Sequence, residues 1–106
     1  MKIAVSSTGG SLSAQVSPNF GRCVYFVIVD SETLKFEVFS NPAEGMMGGA
    51  GPEAARQIKE KGCEVVITGQ VGPNAQRALQ EYGIEIVTGA SGTVKEAVEN
   101  YLKSKK

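Results

Sequence analysis

The alternation of apolar and polar positions divides the chain into five short strands and three helices. Lys2 to Ser6 is a brief apolar run and reads as the first strand. Between Cys23 and Asp30, Tyr25, Val27 and Val29 point to one face and Val24, Phe26 and Ile28 to the other. Both faces are apolar, so this second strand is expected in the middle of its sheet. From Leu34 to Ser40, Leu34, Phe36 and Val38 alternate with Lys35 and Glu37. One polar face predicts an edge strand, joined to the second by the Ser31-Glu32-Thr33 turn. Glu64 to Thr68 and Glu85 to Val87 read as the fourth and fifth strands. Helical spacing appears three times: Ala54, Ala55 and Ile58 within Pro52 to Lys61; Ala75, Ala78, Leu79 and Tyr82 within Pro73 to Tyr82; and Val94, Ala97, Val98, Tyr101 and Leu102 after Thr93. Gly62 stops the first helix, and Thr93 with Glu96 three residues on forms a capping box for the third.

A repeat orders these elements. Gly51-Pro52-Glu53-Ala54-Ala55-Arg56 leads to Gly62 and a strand closed by Gly69, and Gly72-Pro73-Asn74-Ala75-Gln76-Arg77 leads to Gly83 and a strand closed by Gly89. The offset is 21 residues at the Gly-Pro pairs and at the helix stops. Each unit is half of a strand–helix–strand crossover, so the third, fourth and fifth strands run parallel. With the first strand beside the fourth, the fold is an α/β fold. Its five-stranded mixed sheet has the order 3-2-1-4-5, with only strand 2 antiparallel, and three helices. Ser7 to Arg22, Asn41 to Gly51, Gly69 to Gly72 and Gly89 to Gly92 then share one rim. Ligands bind open α/β sheets at such a rim, where strand order reverses. Within the first of these, Thr8 to Gly21 is long for a loop and is expected to be ordered only in part. The second holds four Gly in its eleven residues and is expected to be mobile when empty.

Composition narrows the chemistry. At 106 residues the chain is expected to be a single domain, 1–106, with a flexible tail at 103–106. Lys plus Arg and Asp plus Glu both number 11, so nothing argues for a nucleic-acid or membrane partner. No apolar run approaches the ~20 residues needed to cross a bilayer. The first strand turns polar at Ser6, unlike a signal peptide, and Cys23 and Cys63 are too few for a disulfide scaffold, so a cytoplasmic location is expected. There is no His, and Asp30 is the one Asp, which removes Ser-His-Asp and Cys-His catalysis and His-based zinc sites. A ribonuclease-type two-metal site would need several clustered carboxylates. No catalytic activity is expected.

The rim itself carries little charge: Arg22 in the first loop and Glu44 in the second. It is rich in backbone N–H groups, hydroxyls and Gly, and helix starts at Pro52, Pro73 and Thr93 add partial positive charge. Such a surface suits an anion held by backbone dipoles, although each Gly-Pro singly is what any α/β sheet uses to start a helix. Cys23, next to the rim, has two readings: a thiolate ligand for a soft metal, or a small buried core residue. One thiol does not hold a standard iron–sulfur cluster, which takes four. Cys63 reads as core at the opposite end of the sheet. Met46 and Met47 read either as lid contacts to a soft ligand or as packing residues, and Tyr82 and Tyr101 as core.

Ser17-Pro18-Asn19-Phe20-Gly21-Arg22-Cys23 running into Phe26-Val27-Ile28-Val29-Asp30, then Val66-Ile67-Thr68-Gly69-Gln70-Val71-Gly72-Pro73-Asn74-Ala75, then Gly83-Ile84 and Gly92-Thr93-Val94-Lys95-Glu96-Ala97 resemble the dinitrogenase iron-molybdenum cofactor biosynthesis family. The resemblance spans Met1 to about Leu102. It implies a ribonuclease-H-like three-layer fold and a carrier that holds an iron–sulfur or iron–molybdenum–sulfur cluster as cargo, non-covalently or through very few ligands. Cluster-donor and cluster-acceptor proteins are the implied partners, and the carrier is expected to be a monomer or homodimer. Carried over by position, Asn19, Phe20, Gly21 and Arg22 border the site, and Met46, Met47, Gly51, Gly69, Gly72 and Asn74 complete it, with Cys23 as an optional metal ligand. Family members often carry His before the Phe-Gly pair, where this chain has Asn19. The alternative reading is a module that binds some other small anion, or a partner protein, without a cluster.

Overall fold

A computed structural model describes residues 1–105. The elements in chain order are β1 (Lys2–Ser7), β2 (Tyr25–Asp30), β3 (Phe36–Ser40), α1 (Ala50–Glu60), β4 (Val65–Ile67), α2 (Pro73–Glu81), β5 (Glu85–Val87) and α3 (Val94–Ser104). They form one sheet in the order β3-β2-β1-β4-β5. β2 is antiparallel to both β1 and β3, while β1, β4 and β5 are parallel. This is the expected order and polarity. It follows from the two helical crossovers and from the doubly apolar β2, which is buried from Phe26 to Val29.

The sheet separates two apolar layers. On one face Ala4, Phe26, Ile28 and Val66 meet Ala54, Ala55 and Ile58 of α1 and Ala75 and Leu79 of α2. On the other, Ile3, Val5, Val27, Val29, Val65 and Ile67 meet Val94, Ala97, Val98 and Tyr101 of α3. The period-2 pattern of the strands and the 3.6-residue period of the helices thus interlock, residue by residue, as their spacing predicts.

The structure departs from expectation in three places. α1 begins at Ala50, two residues before Pro52: Gly49 takes a left-handed conformation (φ 74) as N-cap, and the Glu53 N–H donates to the Gly49 carbonyl at 3.1 Å. Pro52 fits inside this first turn because the N–H it lacks would have no acceptor within the helix. The segment after β1, expected to be partly ordered, is tied down by isolated bridges, Ser7 to Val16, Gln15 to Thr93 and Asn19 to Gln70. It also buries Val16 and Phe20, so its backbone polar groups and two apolar side chains are held by the sheet end. The expected tail instead continues α3 to Ser104, and the Lys105 ammonium lies 3.1 Å from the Glu85 carboxylate. Lys106 lies outside the described residues.

Candidate functional site

The four rim segments meet at the carboxyl ends of β1, β4 and β5. Between the Asn19–Arg22 turn and the starts of α1 and α2 lies a cleft of about 500 Å³. Its wall is set by three small residues. A Cβ on Gly21 would lie 2.9 Å from the Gly51 nitrogen, and one on Gly51 would lie 2.8 Å from the Ala75 Cβ. Such distances are well inside van der Waals contact, so this seam of Gly21, Gly51 and Ala75 lets the turn and both helix starts approach at backbone distance.

Neither helix start is capped by a side chain. Helical geometry leaves the first N–H groups without intrahelical acceptors, and Pro52 and Pro73 contribute none. The N–H groups of Gly51, Asn74 and Ala75 are therefore free to donate at the cleft, and each of the two helix starts adds roughly half a positive charge of helix dipole. α2 carries no acidic residue in its first turn. α1 carries Glu53, whose carboxylate accepts from Arg56 (3.0 and 2.6 Å) and Gln57 (2.9 Å) and is held down to about 2 by those bonds. α3 is different: the Thr93 hydroxyl accepts from the Glu96 N–H at 3.1 Å while the Glu96 carboxylate accepts from the Thr93 N–H at 2.9 Å. That capping box satisfies its first turn, and Thr93 does not line the cleft. Two of the three expected helix starts serve the cleft, and the third is closed.

The turn is fixed from beneath and from the side. The Gln70 N–H donates to the Pro18 carbonyl at 2.8 Å, the Phe20 N–H to the Gln70 carbonyl at 3.2 Å, and the Gln70 amide to Asn19 Oδ1 at 3.0 Å. Gly69 allows this pairing, since a Cβ there would lie 2.6 Å from the Pro18 Cα. Asn41, buried at the end of β3, donates to the carbonyls of Gly21 (3.0 Å) and Cys23 (2.9 Å) and accepts from the Ala43 N–H (3.0 Å). Deeper still, the Ser6 hydroxyl bonds the Ser17 carbonyl at 2.8 Å and the Thr68 hydroxyl at 2.7 Å. No local pattern in the sequence marks Ser6 or Thr68 as a support of the turn. A polar residue closing a strand before Pro is the one mark that Asn41 carries.

Of the predicted site residues, Asn19, Phe20, Gly21, Arg22, Gly51, Gly72 and Asn74 line the cleft. Phe20 does so with its backbone, for its ring is buried 5.3 Å from that of Phe26. The exposed Arg22 guanidinium donates to the carbonyls of Glu44 (3.3 Å) and Met46, strapping the glycine-rich loop to the turn. Gly69, Met46, Met47 and Cys23 stand outside the lining. Met46 packs against the core and Met47 is fully exposed. Cys23 is buried, its thiol donating to the Phe20 carbonyl at 3.3 Å and accepting from Asn41 at 3.8 Å. Burial pushes that thiol up to about 12, so with no metal bound it is protonated at neutral pH. Cys63 is likewise raised to about 12 by burial. Among the described residues no three His, Cys, Asp or Glu side chains come together as a metal-ligating group. The cleft offers an anion fixed N–H donors, an exposed guanidinium and the amides of Asn19, Gln70 and Asn74, and it offers a metal ion almost nothing.

The model of the family described as dinitrogenase iron-molybdenum cofactor matches residues 1–104. Among solved structures, the apo form of the orange protein from Desulfovibrio gigas is similar at 39% identity and a TM-score of 0.95, covering 98% of this chain and 88% of that one. A protein from Thermotoga described as a candidate NifB protein of the DUF35 family is similar at 34% identity and a TM-score of 0.85, with 98% and 89% covered. No curated protein matches the chain. Among the described residues no helix is long and apolar enough to cross a membrane.

Proposed function

The chain belongs to the dinitrogenase iron-molybdenum cofactor family, and on that premise we propose that it is a non-catalytic carrier of an anionic metal–sulfur cluster, of iron–sulfur or iron–molybdenum–sulfur type. One observation carries the reading: two uncapped helix starts, α1 and α2, open side by side on a single cleft. Sulfide or oxo groups at the surface of a preassembled cluster accept hydrogen bonds from Gly51, Asn74 and Ala75 N–H groups. Dipoles fixed in the backbone need no reorganisation to meet that charge, and Arg22 at the mouth adds a formal positive charge. A donor set without thiolates or imidazoles suits cargo assembled elsewhere and handed on, because no coordinate bond to a side chain has to break on release. The similarity to a protein known in an apo form supports a chain that takes up a group.

Anaerobic incubation with iron, sulfide and thiomolybdate, followed by gel filtration and metal analysis, tests this. The expected outcome is metal co-eluting with the protein together with visible absorption. In Asn74→Asp, which sets a carboxylate beside the free N–H groups, retention is expected to fall about tenfold or more, the effect of placing like charge near a bound anion. No metal retained by the wild-type chain contradicts the reading.

The absence of any ligating side-chain group among the described residues also favours a second reading, a module for a small oxyanion. Thermal-shift measurements with phosphate compounds and oxyanions separate the two: stabilisation by a phosphate compound without cluster retention selects the second.

A further inference from the structure

β3 is an edge strand, and no other segment of the described residues pairs with its outer side. Its inner side is set by register: the Asp30 N–H donates to the Lys35 carbonyl at 2.9 Å, and Glu37 and Phe39 stand opposite Ile28 and Phe26. Backbone groups alternate in direction along an antiparallel strand. Lys35, Glu37 and Phe39 therefore bond inward to β2, while Phe36 and Val38 aim their N–H and carbonyl groups at solvent. The side chains are equally divided. Leu34, Phe36 and Val38 are 59%, 44% and 36% exposed. Phe36 and Val38 lie on the α3 face beside Val29 and Val27, beyond the reach of α3, which packs over β1. Lys35 and Glu37 lie on the other face, exposed and without an ion pair among the described residues.

We infer that this edge docks a second copy of the chain, β3 against β3, antiparallel about a two-fold axis at Phe36. In that register Phe36 faces Phe36 and Lys35 faces Glu37, the latter pair occurring twice, while Leu34, held left-handed (φ 61) in the turn before the strand, brings its exposed side chain near the partner's Val38 without joining the ladder. The central pair must exchange both of its backbone bonds, and Phe36 is a residue whose groups point outward. A register centred on Val38 sets Phe36 opposite Ser40 and Glu37 opposite Phe39, and loses both the apolar and the charge match. Facing residues share a sheet face, so the two apolar rows merge on one side and the charge pairs form on the other. The result is a continuous ten-stranded sheet, five strands from each copy. Since β3 ends at the cleft rim, the antiparallel pairing sends the two clefts to opposite ends, where both stay open. The inference stands on β3 alone and does not depend on what the cleft carries.

Light scattering and sedimentation over a range of protein concentrations test it. A dimer is expected for the wild type. Lys35→Glu brings like charges together in both pairs and is expected to weaken the dimer about tenfold, as is Glu37→Lys, while the double variant Lys35→Glu/Glu37→Lys recovers it. Phe36→Cys, treated with diamide, is expected to cross-link to itself, since facing Cα atoms stand about 5.5 Å apart. Val38→Cys is not, since its copies are offset by four residues, roughly 13 Å. The buried Cys23 and Cys63 do not compete. A monomer at every concentration, a double variant that stays weak, or Val38→Cys cross-linking as readily as Phe36→Cys overturns the proposal.

Discussion

At the residue scale, the cleft depends on side chains that are missing. Gly21, Gly51 and Ala75 bring three backbone segments together because none carries more than a methyl group. Gly51→Ala adds a Cβ 2.8 Å from the Ala75 Cβ and is expected to cost about 1–3 kcal/mol in urea denaturation through overpacking. In Gly51→Ala/Ala75→Gly the loss is expected to be smaller than the sum of the two single losses, since the clash is gone. Asn41→Ala is expected to cost about 1–3 kcal/mol as well, because the Gly21 and Cys23 carbonyls lose their donor. The residues of the seam were legible in part: Gly51 stood out by its repeat with Gly72, and Gly21 by the Phe-Gly-Arg turn. Ala75 and Asn41 did not, because an alanine in a helix and an asparagine before a proline take their roles from partners 24 and 20 positions away, Gly51 and Gly21.

At the element scale, the three helix starts divide into two kinds. α3 announces itself in sequence through Thr93 and Glu96 and is found capped as its residues predict. α1 and α2 open on Gly and Pro, residues that start a helix without satisfying it, and these are the starts that face the cleft. Thr93→Ala is expected to cost about 1 kcal/mol. The Glu96 carboxyl is held below its ordinary 4.5 by the Thr93 N–H and hydroxyl, so the folded state favours its charged form. Its contribution is fully present above about pH 4.5 and is lost as pH falls through the lower folded value. The stability difference between wild type and Thr93→Ala, read from urea midpoints, is therefore expected to narrow on acidification below about pH 4. The start of α1 at Ala50 and the order of the 8–22 segment were not legible. The first needs the left-handed turn at Gly49, and the second needs pairings with Gln70 and Thr93 that no local pattern contains.

At the scale of the whole molecule, the strand order was legible because two Gly-Pro crossovers and a doubly apolar β2 admit few arrangements. The same order gathers the loops on one rim and leaves the two thiols at opposite ends of the sheet, both in the core. Burial raises both thiols from their ordinary 9.0 to about 12 in the folded chain, so the unfolded chain releases protons first. Stability is full below about pH 9 and falls as pH rises toward 12, by about 1 kcal/mol per thiol at pH 10. Cys63→Ala is expected to show a shallower decline between pH 8 and pH 10, measured by urea midpoint. The central claim is that backbone donors at two helix starts hold the cargo. Amide chemical shifts during titration with a diamagnetic thiomolybdate test it most directly. The largest shifts are expected at the N–H groups of Gly51, Asn74 and Ala75, with Cys23 little changed beyond its place beside the turn. Shifts absent from those three amides, or centred on Cys23, contradict it.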